Sequence, residues 1–376
     1  MQTPEEQTIK RAEHGSDPRS GEKPQKLTQL GKPSWIYIFK RSLREFLANG
    51  STDLAAALTY FAVFSIMPML LALVSLLGVF GHGQQTTDAI LNFLSDYAPK
   101  DILGVVEQPI SQLTASSAAG LALVTGLVGS LWTASGYVGA FGRALNRIYG
   151  VVEGRPIWKL RPINLVVTLI MVLIMVSMMM VLLTSKDVLD VVGDFTGMDF
   201  GGFAAIWNYA RWAVMLIIAI ILVGVLYFAT PNVKQPKFRW ISPGAAFALI
   251  MMGVAGAGFT FYVSNFANYN ATYGAIGGVI VMLMMVWIMN NVLLFGAQID
   301  AEIQRARELH AGIPAEETLK IEPRDDTMAI KNLEKLDKLV EEGREIRLQN
   351  NSGMNMQEEA AKNEKENIND IDLSKN

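Results

Sequence analysis

The segment from Trp240 to Ile299 contains 60 consecutive residues without a single Asp, Glu, Lys, Arg or His. Nothing in such a segment would keep it soluble in water, whereas a bilayer accommodates one helical crossing for about every 20 apolar residues. We therefore predict two crossings joined by a short turn. The turn is predicted at 265–274, where Asn, Tyr and Gly are concentrated, and Ser242 and Pro243 are predicted as the N-cap and first residue of the first of these helices.

The composition of the whole chain agrees with a membrane protein that carries soluble tails. Hydrophobic residues make up 51% of the 376 residues and charged residues only 18%, which is unusual for a globular enzyme. The chain has no cysteine, so disulfide frameworks, iron–sulfur clusters and thiolate zinc sites are excluded.

Four further uncharged stretches lie before Trp240 in the chain, and each is long enough for a helical crossing. These stretches are 54–80, 118–141, 165–183 and 212–229.

The positive charges of the connecting segments alternate along the chain. Lys plus Arg number nine before the first crossing, then one, five, one and three in the following loops, and none in the last turn. Because cationic loops stay on the cytoplasmic side of a membrane, this alternation predicts an all-α, polytopic membrane protein with six transmembrane helices. It places the N-terminus, the 142–162 loop, the 230–242 loop and the C-terminus in the cytoplasm.

The predicted domain organisation is a six-helix transmembrane domain over 34–305 between two polar tails. Residues 1–33 are predicted to be a disordered cytoplasmic tail, and 306–376 a largely disordered one with a short amphipathic helix near 328–348. Residues 34–48 form a basic amphipathic pattern, which predicts an interfacial helix in contact with anionic lipid headgroups; the alternative is a solvated helix packed on protein. Amphipathic helices are also predicted within 84–117.

Several motifs resemble the YihY/BrkB family of six-helix bacterial inner-membrane proteins, formerly labelled ribonuclease BN. The motifs lie at 58–68, 145–155, 231–244, 265–274 and 296–302, and the resemblance covers about residues 35 to 305. Asp300 stands where the family often carries Asn. The resemblance implies location in the bacterial cytoplasmic membrane and the same topology, and it suggests roles in envelope integrity, serum resistance or the transport of lipids or solutes.

No catalytic or metal-binding constellation is visible in the sequence. A zinc-dependent phosphodiesterase needs clustered His and Asp ligands, but His14, His82 and His310 are predicted to lie on both sides of the membrane. No nucleophile elbow, P-loop or dinucleotide fingerprint is present. We therefore predict no enzymatic activity, no cofactor and no nucleic-acid partner, since membrane orientation explains the basic loops.

A transport path would require polar groups within the bundle. The candidates are Arg211, Asn290 and Asn291, with Thr133 and Ser135 in a position to face the asparagines. Arg211 either snorkels outward among neighbouring aromatic residues or binds an anionic group. The two asparagines either form interhelical hydrogen bonds or contact a substrate.

A second group of candidates lies at the cytoplasmic ends of the helices. Asp300 and Glu302 are predicted to pair with Arg143 or Arg147, which would form a structural lock or a gate. Pro68, near the middle of the first crossing, is predicted to kink that helix.

The favoured function is a transporter or flippase-like protein for an envelope lipid or amphiphilic solute, with the bilayer as its main partner. The alternative is a non-transporting membrane scaffold. A polar cavity containing Arg211 and Asn290 would favour transport, and a solid interior would favour the scaffold. The sequence leaves the oligomeric state open.

Overall fold

The computed structural model describes residues 3–16, 31–79, 119–184, 201–235, 241–266 and 270–373. Within these ranges the regular secondary structure is helical, apart from two isolated β-bridges, and it comprises nine helices. The helices are α1 (Pro4–His14), α2 (Lys32–Ala48), α3 (Ser51–Val79), α4 (Ala119–Tyr149), α5 (Ile157–Leu183), α6 (Gly201–Ala229), α7 (Pro243–Phe266), α8 (Asn270–His310) and α9 (Thr327–Leu373).

Helices α3 to α8 form a closed ring. Each packs against the next helix in the chain, and α8 packs back against α3. Four helices among the described residues are long and apolar enough to cross a membrane, over Ile157–Leu182, Ile206–Ala229, Pro243–Tyr262 and Gly277–His310. Helices α3 and α4 correspond to the first two predicted crossings.

Local sequence signals set several helix boundaries. The hydroxyl of Ser242 accepts a hydrogen bond from the backbone N–H of Ala245 at 3.1 Å, which confirms the predicted N-cap of α7. Helix α6 ends at Ala229, the last residue of the uncharged stretch predicted as the fourth crossing. Helix α2 ends before Gly50, whose φ of +62° turns the chain directly into α3.

The connections are shorter than the sequence indicated. Helix α4 continues to Tyr149 and α5 begins at Ile157, so helix occupies much of the predicted 142–162 loop. Pro162 lies inside α5 near its beginning, where a missing N–H disturbs the helix less than it would at the centre. Similarly, α7 ends at Phe266 and α8 begins at Asn270, so the connection between them is shorter than the turn predicted at 265–274.

The prediction of disorder was wrong for 3–16. Thr3 and Glu6 form a reciprocal capping box at the start of α1, and Thr8 and Arg11 are buried. The sequence does carry the capping signal, but burial depends on partners far along the chain, which the sequence does not place.

The C-terminal tail also contains more structure than predicted. Residues 311–326 fold back on the ring and bury Ala315, Leu319 and Ile321. The predicted helix at 328–348 lies within α9, which continues to Leu373.

The core is concentrated at one end of the ring, which carries Tyr149, Ile157, Ala229 and Pro243; we call this the polar end. Phe141, Leu58, Leu145, Leu226 and Leu294 are almost completely buried in it. The helices α7 and α8 also meet closely there, because Gly244 and Gly296 lie backbone to backbone.

Some predictions fall on residues outside the described part. They are the disorder of 17–30, the placement of His82 and the amphipathic helices within 84–117. Pro68 lies within α3, but its side chain is outside the described residues, so the kink stays a prediction.

Candidate functional site

Asn290 joins three helices in the interior of the ring. It is 3% exposed; its Nδ2 donates to the hydroxyl of Thr59 on α3 at 3.2 Å, and its Oδ1 accepts from the hydroxyl of Tyr137 on α4 at 2.9 Å. Thr59 donates in turn to the carbonyl of Ala55. Asn290 therefore forms the interhelical hydrogen bonds that were one of its two predicted roles.

An aromatic column connects Asn290 with the polar end. The rings of Tyr137 and Phe141 are stacked with centroids 6.2 Å apart, and those of Phe141 and Tyr227 are stacked at 6.1 Å. Tyr227 donates from its hydroxyl to the carbonyl of Leu293, which holds α6 against α8. The column fills the centre of the ring between α4, α6 and α8.

A cavity of about 90 Å³ with a mixed polar and apolar lining lies at the end of this column, and neither Arg211 nor Asn290 lines it. Its polar lining residues are Tyr149, Tyr227, Gln235, Ser242, Asp300, Gln304 and Arg307. Asp300 also caps α7, because its carboxylate accepts from the backbone N–H of Gly244 at 2.8 Å and from the hydroxyl of Ser242.

Glu302 forms an ion cluster with partners other than those predicted. Its side chain is completely buried, and it accepts from Nε of Arg305 at 2.8 Å. Nε of Arg41 on α2 lies 3.5 Å from the same carboxylate, and Arg305 also donates to the carbonyl of Ala315 at 2.7 Å. The cluster thus joins α2, α8 and the returning C-terminal segment, consistent with a structural lock.

Arg143 and Arg147 are exposed rather than paired with this cluster. The guanidinium of Arg143 lies 5.9 Å from the ring centroid of Phe61. Within the described residues neither arginine forms a salt bridge. The predicted pairing of these arginines with Asp300 or Glu302 was therefore wrong, because positions 143 and 147 lie on the outer face of α4.

A second buried network closes the polar end around Asn232. The backbone N–H of Asn232 donates to Oδ1 of Asn146 at 2.7 Å, and its side-chain amide donates to the carbonyls of Val152 and Asp325 at 3.0 and 2.8 Å. Its Oδ1 accepts from the backbone N–H of Asp325 at 3.1 Å. Every polar group of this side chain is therefore satisfied within the protein.

Arg155 extends the network across the ends of α4, α5 and α6. It forms two hydrogen bonds to Glu153 at 2.7 and 2.8 Å, and it donates to the carbonyl of Thr230 at 2.7 Å. Asn146 donates to the same carboxylate at 3.0 Å. Burial lowers the pKa of Arg324, which donates to backbone carbonyls at the end of α6.

The termini cover this end as a small cap. Arg11 donates to the carbonyl of Tyr149 at 3.0 Å, and the hydroxyl of Ser16 donates to Glu308 at 2.9 Å. Burial lowers the pKa of Arg11 to about 10, although the charge of Glu308 opposes this shift. Arg11 therefore remains protonated near neutral pH.

The other predicted path residues do not converge on Asn290. The hydroxyls of Thr133 and Ser135 donate to carbonyls of their own helix, those of Gly129 and Trp132. Asn291 likewise donates to a carbonyl of its own helix.

Arg211 is half-buried, with its guanidinium 5.6 Å from the ring centroid of Trp212. No contact joins it to Asn290 among the described residues. Its predicted role, snorkelling or anion binding, stays a prediction.

Sequence reasoning missed Tyr137, Asn232 and Asn146 as site residues. Tyr137 lies one helical turn after Thr133, and this spacing could have indicated a hydrogen-bonding face of α4. The two asparagines belong to the motifs at 145–155 and 231–244, which served only to identify a resemblance.

No group of three potential metal ligands occurs in the part of the chain that the structure describes. His14 is largely exposed, and His310 forms a hydrogen bond with Ser34.

Comparison with known proteins identifies the relatives of the chain. The family model for Virulence factor BrkB matches residues 42–319. The ribonuclease-like protein YfkH of Bacillus subtilis is 31% identical over 272 residues, which cover 72% of this chain and 97% of YfkH.

More distant relatives are longer than the matched region. UPF0761 membrane proteins of Xanthomonas campestris and Xanthomonas axonopodis are 25% identical over 270 residues, which cover 70% of this chain and 60% of each relative. No solved structure matches the chain. The match over most of the helical ring and nearly all of YfkH establishes that this chain belongs to the BrkB family of membrane proteins.

Proposed function

We propose that this protein is a transporter or flippase-like protein for an envelope lipid or amphiphilic solute. In this proposal α3 to α8 cross the bacterial cytoplasmic membrane six times, and both termini are cytoplasmic. The alternation of cationic loops supports this orientation. The polar end then faces the cytoplasm, where water and ions can reach its charged groups.

The observation that carries the proposal is the column from Asn290 through Tyr137 and Phe141 to Tyr227. It separates a buried polar group within the ring from the cavity at the proposed cytoplasmic end. Polar groups inside a membrane bundle are costly and commonly mark substrate paths. The column has the position of an inner gate, and the network around Asn232 would hold that gate closed.

The lipid-facing surface suits an amphiphilic substrate. In each of the four described spans, only 17% to 22% of the most apolar 18-residue stretch is buried inside the protein. A substrate with apolar chains can lie against such surfaces and needs few buried charges along its path.

A membrane scaffold is the second candidate, because the cavity described above contains neither Arg211 nor Asn290 and the aromatic column fills the centre of the ring. The bonds of Asn290 are satisfied inside the protein, and α9 exposes Leu339, Val340 and Ile346, which a partner protein could cover. We propose no catalytic role. The ribonuclease-like name belongs to YfkH, and the residues given above provide no nuclease site.

A reversible crosslink tests whether the polar end opens. The chain has no cysteine, and a Cβ built on Gly142 lies 3.6 Å from Cβ of Thr230, within the range of a disulfide. The variant G142C/T230C would therefore link α4 to α6 when oxidised. We expect it to restore the lipid composition of a deletion strain under reducing conditions and to fail after oxidation. Oxidation should not change the result for either single-cysteine variant.

Full restoration by the completely oxidised variant would contradict an opening gate and favour the scaffold. The same assay compares Asn290→Ala and Arg211→Ala with Asn291→Ala as a matched control. We expect loss of restoration for Asn290→Ala and little change for the control. Equal behaviour of Asn290→Ala and wild type would remove Asn290 from the path.

A further inference from the structure

The outer face of α4 forms a shallow groove between α3 and α5. Trp132, Gly136, Gly139 and Arg143 recur at intervals of three or four residues and therefore lie along one face of α4. A Cβ on Gly136 would lie 3.3 Å from the ring of Phe61 on α3. The two glycines thus form the floor of the groove, and the ring of Phe61 lies over it at Gly136.

A buried amide from α5 lies at this floor. Asn164 is 7% exposed, and its Nδ2 would lie 3.1 Å from a Cβ on Gly139, with Nη1 of Arg143 only 3.6 Å from the same point. No hydrogen bond to the side chain of Asn164 occurs among the described residues. The groove therefore contains an amide donor whose hydrogen bond is available to a ligand.

Two guanidinium groups lie over aromatic rings in this groove. Arg143 lies 5.9 Å from the ring centroid of Phe61, and Arg161, which is exposed, lies 5.0 Å from that of Trp132. Neither forms a salt bridge within the described residues. Arg147 continues the same face toward the end of α4, but its guanidinium lies beside Gly50 and is not part of the groove.

We propose that this groove binds one anionic phospholipid, with its phosphate on Arg143, Arg161 and Asn164 and an acyl chain against the exposed ring of Trp132. Arginine matches the geometry of a phosphate with paired N–H donors, and an exposed aromatic ring offers an apolar surface to the chain. The site is independent of transport. The proposed orientation decides only from which leaflet the lipid is bound, and this would be the cytoplasmic leaflet.

Native mass spectrometry of the full chain tests the proposal. The protein is released from nanodiscs of phosphatidylcholine that contain phosphatidylglycerol with the same acyl chains, and the retained phosphatidylglycerol is counted. Replacing both arginines (Arg143→Gln with Arg161→Gln) should reduce retention about tenfold, because each removes a charge-assisted hydrogen bond. The control replaces Lys335 and Lys338, two exposed cations of α9, with Gln and should retain the lipid.

A second pair of variants tests the groove without changing charge. Gly139→Leu would place a side chain against the amide of Asn164 and should also reduce retention, whereas Gly253→Leu, on α7 with open space around it, should not. Circular dichroism and size-exclusion chromatography confirm that each variant is folded. Equal losses in the groove and control pairs would indicate diffuse surface attraction and overturn the proposal. Displacement of the lipid by excess inorganic phosphate would also overturn it, by showing that the acyl chain contributes nothing.

Discussion

Replacing Arg155 with Met should strongly destabilise the polar end, because the substitution leaves a largely buried carboxylate without its cation. Arg155 is 5% exposed and forms paired hydrogen bonds with Glu153 at 2.7 and 2.8 Å, in addition to its bond to Thr230. Removing the guanidinium leaves the carboxylate of Glu153 in a largely desolvated position with only the amide of Asn146 and nearby backbone to bind.

The magnitude follows from this burial. Breaking one partner of a buried ion pair typically costs about 3–5 kcal/mol. Because the side chain of Glu153 retains 21% exposure, we expect the lower end, about 3 kcal/mol, or about a hundredfold in the unfolding equilibrium. Replacing Glu153 with Gln as well should recover at least about 1 kcal/mol, since the orphaned charge is then absent.

Reversible unfolding of the purified protein in mixed micelles, titrated with a denaturing detergent, measures these differences. The matched control is Lys234→Met. Lys234 pairs with Glu322 at 2.6 Å, and Glu322 is 20% exposed, but Lys234 itself is 54% exposed. The control should therefore change the free energy of unfolding by less than about 1 kcal/mol. Equal losses in Arg155→Met and Lys234→Met, or strict additivity in the double variant, would refute the reasoning from burial.

Three further predictions follow from the packing and the electrostatics. Gly296→Ala should lower the free energy of unfolding by about 2 kcal/mol, because the new Cβ would lie 2.5 Å from a backbone oxygen of α7; a variant as stable as wild type would show that the two helices can separate without loss. Asn290→Ala should lower the free energy of unfolding by about 1 kcal/mol, because two interhelical hydrogen bonds are lost. Tyr137→Phe should lower it by about half as much, and Asn291→Ala should leave it almost unchanged. The same titration measures all three variants, and equal values would contradict the assigned bonds. Hydrogen bonds from Lys159 and Thr327 outweigh partial desolvation and hold the pKa of Asp325 below its usual 3.8. Its stabilising contribution should therefore be complete above about pH 4 and be lost as pH falls through the lowered pKa, so Asp325→Asn should flatten the acid limb of a pH–stability profile.

The charge-free stretches and the capping residues predicted the helices well. The N-cap at Ser242 and the end of α6 at Ala229 each depend on a few neighbouring residues. Such features are readable because the cost of burying a charge and the geometry of a cap are local properties. Connection lengths were less predictable, because helices α4 and α5 continue beyond the apolar core into segments that look like loops.

Partner choice among polar side chains could not be read from the sequence. Glu302 was expected to meet Arg143 or Arg147, yet Arg305 and Arg41 surround it. The rotation of each helix about its axis and the angle at which helices cross decide this, and both arise from packing over the whole ring.

The sequence by itself therefore determined that this chain is an all-helical membrane protein with several apolar spans, because lipid tolerates such segments and water does not. Only the tertiary structure decided that Asn290 bonds to Tyr137, that α1 docks Arg11 at the end of α4, and that Arg143 remains on the outer surface. These contacts join residues up to 153 positions apart. Chain proximity carries no information about them, and the balance between desolvation and hydrogen bonding is settled only when the helices pack.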